Sequence, residues 1–170
     1  MEPTLVEKPH ITLVGLSFFG DPFKISGGWT EENEIGRLWK RVEAYLTKHR
    51  DRIKHVLADT VSYEVHIEHE DTRLTGEYEV FAGLEVATLE DVPVELSVKI
   101  LPPATYAVFT LEGKQIISDW PKTIVGEWMA RSGYQSAYTY GFERYDERFK
   151  GVQNIDESVL DVYVPVKTAG

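Results

Sequence analysis

From His10 to Phe19, apolar positions alternate with polar ones in a run rich in β-branched and aromatic residues, which predicts a first strand ending at Gly20, Asp21 and Pro22. Beyond Gly27 and Gly28 the period changes. Ile35, Leu38, Trp39, Val42, Tyr45 and Leu46 fall at helical spacing, with Thr30 as an N-cap hydroxyl and Glu31, Glu32 and Glu34 near the positive helix end. This helix is expected to run to about His49. Alternation returns in Ser62 to His69 and, after the turn-like Thr75 and Gly76, in Glu77 to Thr88.

The second half repeats that order. Leu96 to Leu101 and Thr105 to Glu112 read as one bent extended segment, because Pro102 and Pro103 between them lack ladder N–H groups. A helix is expected from Ser118 or Asp119. Pro121 lies in its first turn, Trp120, Ile124, Val125, Trp128 and Met129 form its apolar stripe, and Gly133 suits its C-cap. Tyr138 to Tyr145 and Val159 to Val166 close the pattern. Tyr78 to Ala82 align with Leu160 to Val164, and Tyr63, Val65, Ile67 and Glu68 with Tyr138, Tyr140, Phe142 and Glu143, which suggests internal duplication. The expected fold is α+β: duplicated β-α-β-β units make a pseudo-symmetric antiparallel sheet with two main helices and a central cleft. One domain over residues 1–170 is expected, with a first repeat at about 9–90 and a second at about 96–168.

Charge narrows the partners. Eighteen Lys and Arg face 28 Asp and Glu, a net charge of −10, so a phosphate backbone would meet repulsion and direct nucleic-acid binding is not expected. The same field favours cations. There is no cysteine, no basic segment leading into an apolar run at the N-terminus, and no apolar stretch long enough for a bilayer. A cytoplasmic protein, monomeric and not membrane-bound, is the expectation.

Few residues carry chemical signals. Glycine-rich phosphate loops and nucleophile elbows are absent, and no cofactor is expected. No metal is expected either, because His66 and His69 of a strand point to opposite faces. Glu64, His66, Glu68 and Glu70 share a face, which is expected to be solvated. The distinctive stretch runs from Tyr134 to Phe149, where Tyr134, Tyr138, Tyr140, Phe142, Tyr145 and Phe149 surround one carboxylate, Glu143. On a strand, Glu143 shares a face with Thr139, Gly141 and Tyr145, and Gly141 leaves room for a flat molecule beside it. The bland alternative is a half-buried strand whose aromatics are core and whose Glu143 pairs with Arg144, Arg148 or a surface lysine.

A resemblance adds to these readings. Leu101 to Phe109, Gly113, Trp120, Ile124, Trp128, Ser132, Gly133, Tyr134, Phe142, Glu143, Tyr145 and Leu160 to Val166 resemble, in order and spacing, the GyrI-like, AraC-type effector-binding domain family. That resemblance implies a doublet whose cleft accepts amphipathic, often cationic aromatic compounds, with Glu143 at its floor. With both helices spent inside the repeats, no helix-turn-helix is expected and the resemblance implies a stand-alone member. Gly27 to Trp39 also resembles a subgroup that hydrolyses cyclopropane-bearing DNA alkylators.

Three functions follow. In the first, a binding module, Glu143 is the anionic partner, and Phe19, Trp39, Tyr106, Trp120, Tyr140 and Tyr145 line the ligand site. In the second, a hydrolase, Glu143 activates water and Tyr106 donates to the oxygen that gains charge. In the third, the acidic strand from Glu64 to Glu70 docks a basic protein such as gyrase.

Overall fold

The alternating runs become strands because each parity of side chains finds its own apolar layer. The computed structural model describes residues Met1–Gly170. Its strands are β1 (Thr4–Lys8), β2 (Ile11–Gly20), β3 (Ser62–Ile67), β4 (Tyr78–Glu85), β5 (Ser97–Leu101), β6 (Ala104–Glu112), β7 (Tyr134–Ser136), β8 (Tyr140–Tyr145) and β9 (Val159–Thr168). They form one antiparallel sheet in the order β1-β6-β9-β8-β3-β4-β2-β5, with β7 on β9. The helices are α1 (Glu34–His49), the single turn α2 (Thr72–Thr75) and α3 (Glu127–Ser132), the last continuing a π-turn at Pro121–Gly126. No helix is long and apolar enough to cross a membrane.

One face carries Leu13, Tyr63, Val65, Phe81, Tyr106, Phe142 and Tyr163 in a single buried cluster. The opposite face carries the helices: Leu38 and Val42 of α1 on Val80 and Ala82, and Trp128 of α3 on Ala107, Phe109 and Leu160. Each large side chain so buried contributes about 1.5–3 kcal/mol. Ile11 and Leu101 from one end of the sheet join Tyr106 and Tyr163 from the other, so the sheet curls onto itself. Gly15 and Gly83 permit the bend. They face each other across β2 and β4, where a Cβ on Gly15 would fall 2.0 Å from the Ala82 carbonyl oxygen.

The pairing pattern repeats. Glu64 pairs with Ala82 as Glu143 pairs with Val162, and Leu13 pairs with Glu85 as Tyr106 pairs with Pro165. Likewise Lys8 pairs with Ala104 as Leu101 pairs with Ile11, so β1 lies on β6 while β5 lies on β2. In this correspondence Glu64 and Glu143 are equivalent, and they are also each other's cross-strand partners. The residue alignment expected from sequence is displaced: it sets Tyr63 against Tyr138, whereas the ladders set Tyr63 against Phe142.

Three local expectations need correction. Asn33, not Thr30, caps α1: its Oδ1 accepts the Gly36 N–H at 3.0 Å while its Nδ2 donates to the Gly28 carbonyl at 2.7 Å. Thr30 instead accepts from the Glu32 N–H one turn earlier. Pro102 and Pro103 do not bend one strand but carry the chain from β5 to β6, which pair with different neighbours. The edge strands β1 and β7 were not expected. Gly133 does end α3, with a left-handed φ of +73°.

Candidate functional site

Where β3 and β8 run side by side in the middle of the sheet, the register sets Glu64 opposite Glu143, His66 opposite Gly141 and Ser62 opposite Tyr145. Parity sends Glu64, His66, Glu143 and Tyr145 to the helix-bearing face. Both carboxylates are buried, Glu64 at 4% exposure and Glu143 at 5%. Glu64 is fully engaged: Oε2 accepts from the Trp39 indole Nε1 at 2.5 Å, and Oε1 lies 2.6 Å from His66 Nε2. The Tyr145 hydroxyl donates to Glu143 Oε2. Glu143 Oε1 accepts from no protein group and keeps a sliver of solvent contact. Opposite His66 stands Gly141, where even a Cβ would crowd the Tyr163 carbonyl oxygen, at 3.3 Å.

Burial, then the Glu64 charge, pushes the Glu143 carboxyl up to about 7, against opposing pulls from His66 and the Tyr145 hydroxyl. For His66, burial disfavours the cation, but its hydrogen bond to Glu64 and the charges of Glu64 and Glu143 outweigh that and raise it. Burial and the same two carboxylates raise the Tyr145 and Tyr78 hydroxyls. Beside the fully hydrogen-bonded Glu64, the site therefore holds one acid poised near neutrality and one histidine biased toward its cation.

Rings surround these groups. Trp39 meets Tyr145 edge-on with centroids 5.5 Å apart, Tyr145 meets Phe149 at 4.9 Å, and Trp29 approaches Phe149 at 6.1 Å. Tyr78 lies 5.5 Å from the His66 ring. Trp39 comes from α1 and Trp29 from the loop before it, which Asn33 ties to the helix start through Gly28.

Of the sequence-selected residues, the structure brings Trp39, Glu143 and Tyr145 together, and Trp120 packs in the same apolar cluster as Trp39 and Tyr145. Three others fall elsewhere. Tyr106 and Tyr140 lie on the opposite face, their hydroxyls 2.8 Å apart, with Tyr106 fully buried against Phe142 and Tyr163. Tyr106 therefore cannot donate to a group held at Glu143. Phe19 is 54% exposed near a sheet edge, packed on His69. Residues that the expected ligand site did not include are Glu64, His66, Tyr78, Phe149 and Trp29. The expectation of a solvated acidic face fails at Glu64, because β3 is a central strand roofed by Trp39. Glu143 also takes no Arg or Lys partner, and Arg148 instead holds Asp146 and Asp161.

Glu64, His66 and Glu143 present ligand-type atoms within 4.8 Å of one another, close enough to share a divalent ion. Protein hydrogen bonds already claim both Glu64 oxygens and one of Glu143, so the donor set is that of an ion-pair network.

Residues 4–166 match the family described as Cass2, integron-associated effector binding protein. The chain belongs to that family. This Cass2-family chain is also 30% identical over 168 residues to the transcriptional regulator BrlR of Pseudomonas aeruginosa; the match covers 98% of the chain and 56% of the regulator. The chain thus spans little more than half the length of that curated relative. Among solved structures it is similar to SAV2435 bound to tetraphenylphosphonium, with a TM-score of 0.70 and 19% identity over 98% of this chain and 94% of that one. The integron cassette protein VCH_CASS2 of Vibrio cholerae shares the fold at a TM-score of 0.62, with 18% identity over 98% and 96% of the two chains.

Proposed function

We propose that this Cass2-family protein binds amphipathic cations bearing aromatic groups, with Glu143 as their anionic partner, for sequestration or sensing. The observation that carries the reading is the Glu143 carboxylate, buried with one oxygen free of protein donors beside Tyr145, on which the Trp39 and Phe149 rings pack. A carboxylate in such a place is costly to ionise, and a large delocalised cation, weakly hydrated, offsets that cost. Each ring adds about 0.5–2 kcal/mol of cation–π attraction. The tetraphenylphosphonium complex of SAV2435 supports the ligand class. Titration calorimetry with tetraphenylphosphonium is expected to give affinity near the micromolar level, about −8 kcal/mol. Glu143→Gln is expected to weaken it at least about tenfold. Unchanged affinity in that variant removes Glu143 from the site.

A second reading uses the same carboxyl as a base. With its proton affinity raised to about 7, Glu143 can take a proton from water as the water oxygen bonds to a cyclopropane carbon, the ring C–C bond breaks and its electron pair passes to the carbonyl conjugated with the ring. The hydroxyl nearest to it is that of Tyr145. Mass spectrometry of such an alkylator separates the two readings: a water adduct formed by wild type and not by Glu143→Gln supports hydrolysis, and recovered substrate with saturable binding supports sequestration.

A further inference from the structure

Two carboxylates opposite each other on neighbouring strands need a counter-charge. The groups acting on Glu143 are Glu64, His66 and Tyr145, none of them Lys or Arg. The groups facing His66 come from four elements: Glu64 on its own strand, Glu143 and Tyr145 on β8, Tyr78 on β4, and the uncharged Trp39 on α1. Asp21, in the loop after β2, acts on Tyr78 behind them. Glu64 and Glu143 form the buried floor, whereas a third of the His66 side chain is exposed, opposite Gly141 on β8.

We propose that His66 is a resident cation, occupying the acid pair while the site is empty and setting the charge of the molecule it admits, so that organic monocations are favoured over dications. With the imidazolium on Glu64, the pair retains one negative charge, at Glu143, and one incoming positive charge balances it. A second positive charge would face the imidazolium. Without His66 no resident cation opposes a second positive charge, and a dication that displaces the Glu143 proton meets both carboxylates. The inference rests on the cation-binding reading above.

The test compares the affinities of tetraphenylphosphonium, a monocation, and methyl viologen, an aromatic dication, in wild type, His66→Gln and Glu143→Gln. His66→Gln is expected to shift the ratio toward methyl viologen by about tenfold or more, since one unit of nearby charge has been removed. A shift below about twofold, with both probes still bound and still weakened by Glu143→Gln, overturns the role of His66 alone. If wild type binds neither probe, or Glu143→Gln leaves both unaffected, the cation-binding reading itself falls and takes this inference with it. A second measurement needs no variant at His66. In wild type, the His66 imidazole followed by NMR is expected to titrate above 6.5 when the site is empty and to drop on saturation with tetraphenylphosphonium. An unchanged titration overturns the proposal.

Discussion

The two faces of the same central strands treat buried polar groups in opposite ways. On the strand-only face, Tyr106 and Tyr140 satisfy each other's hydroxyls inside a tightly packed aromatic cluster, and nothing there remains to be recognised. On the helix-bearing face, three residues along β8 from Tyr140, Glu143 is buried with a carboxylate oxygen that no protein donor meets. Alternation thus divides the sheet into a face devoted to stability and a face that, on the proposed reading, gives some of it up for binding.

The largest effect should come from breaking the first face. Tyr106→Ala is expected to cost about 3–5 kcal/mol in denaturant unfolding, as truncation of a large buried ring does. Tyr106→Phe keeps the ring and should leave tetraphenylphosphonium binding unchanged, and a loss of affinity there would put Tyr106 back in the site. The second face should respond in the reverse sense. Glu143 titrates near 7 when folded, above its unfolded value, so the folded protein holds a proton that the unfolded chain has lost between about pH 4.5 and pH 7. Its contribution is therefore intact below about pH 4.5 and is lost as pH rises through 7, and His66, also raised, has the same sign. Glu143→Gln should accordingly be more stable than wild type at pH 8, by on the order of 3 kcal/mol, with the difference fading toward pH 5. A variant less stable at pH 8 would show that Glu143 supports the fold instead of straining it. Smaller still, Asn33→Ala should cost about 1–2 kcal/mol through the α1 cap and also weaken tetraphenylphosphonium, because the loop carrying Trp29 is released from Gly28. Trp29→Ala should lower affinity about two- to fivefold with little change in stability, since that ring is partly exposed.

Much of this contrast was legible in the residues. Period-2 alternation located the six long strands, helical spacing located α1, and an isolated acid among rings with Gly141 two residues before it pointed to Glu143. Tyr140 could already have been set aside, because parity on β8 puts it opposite Glu143. Tyr106 could not, since relating its face to that of Glu143 requires the β6–β9–β8 register, a long-range fact. Glu64 was hidden for the same reason: a row of Glu64, His66, Glu68 and Glu70 looks solvated until β3 is known to lie between β4 and β8. The Asn33 cap was missed because a serviceable hydroxyl stands three residues earlier, while the Asn33 amide accepts from Gly36 and donates to Gly28 through separate atoms.

The crossed placement of β1 and β5 limits how this protein can admit a guest. Each half lends its opening strand to the other, which laces the seam beneath Glu64 and Glu143 from both margins. The halves therefore cannot hinge apart without tearing backbone ladders. A guest admitted at Glu143, as proposed above, would pass the Trp39 and Tyr145 rings over a base whose ladders stay closed.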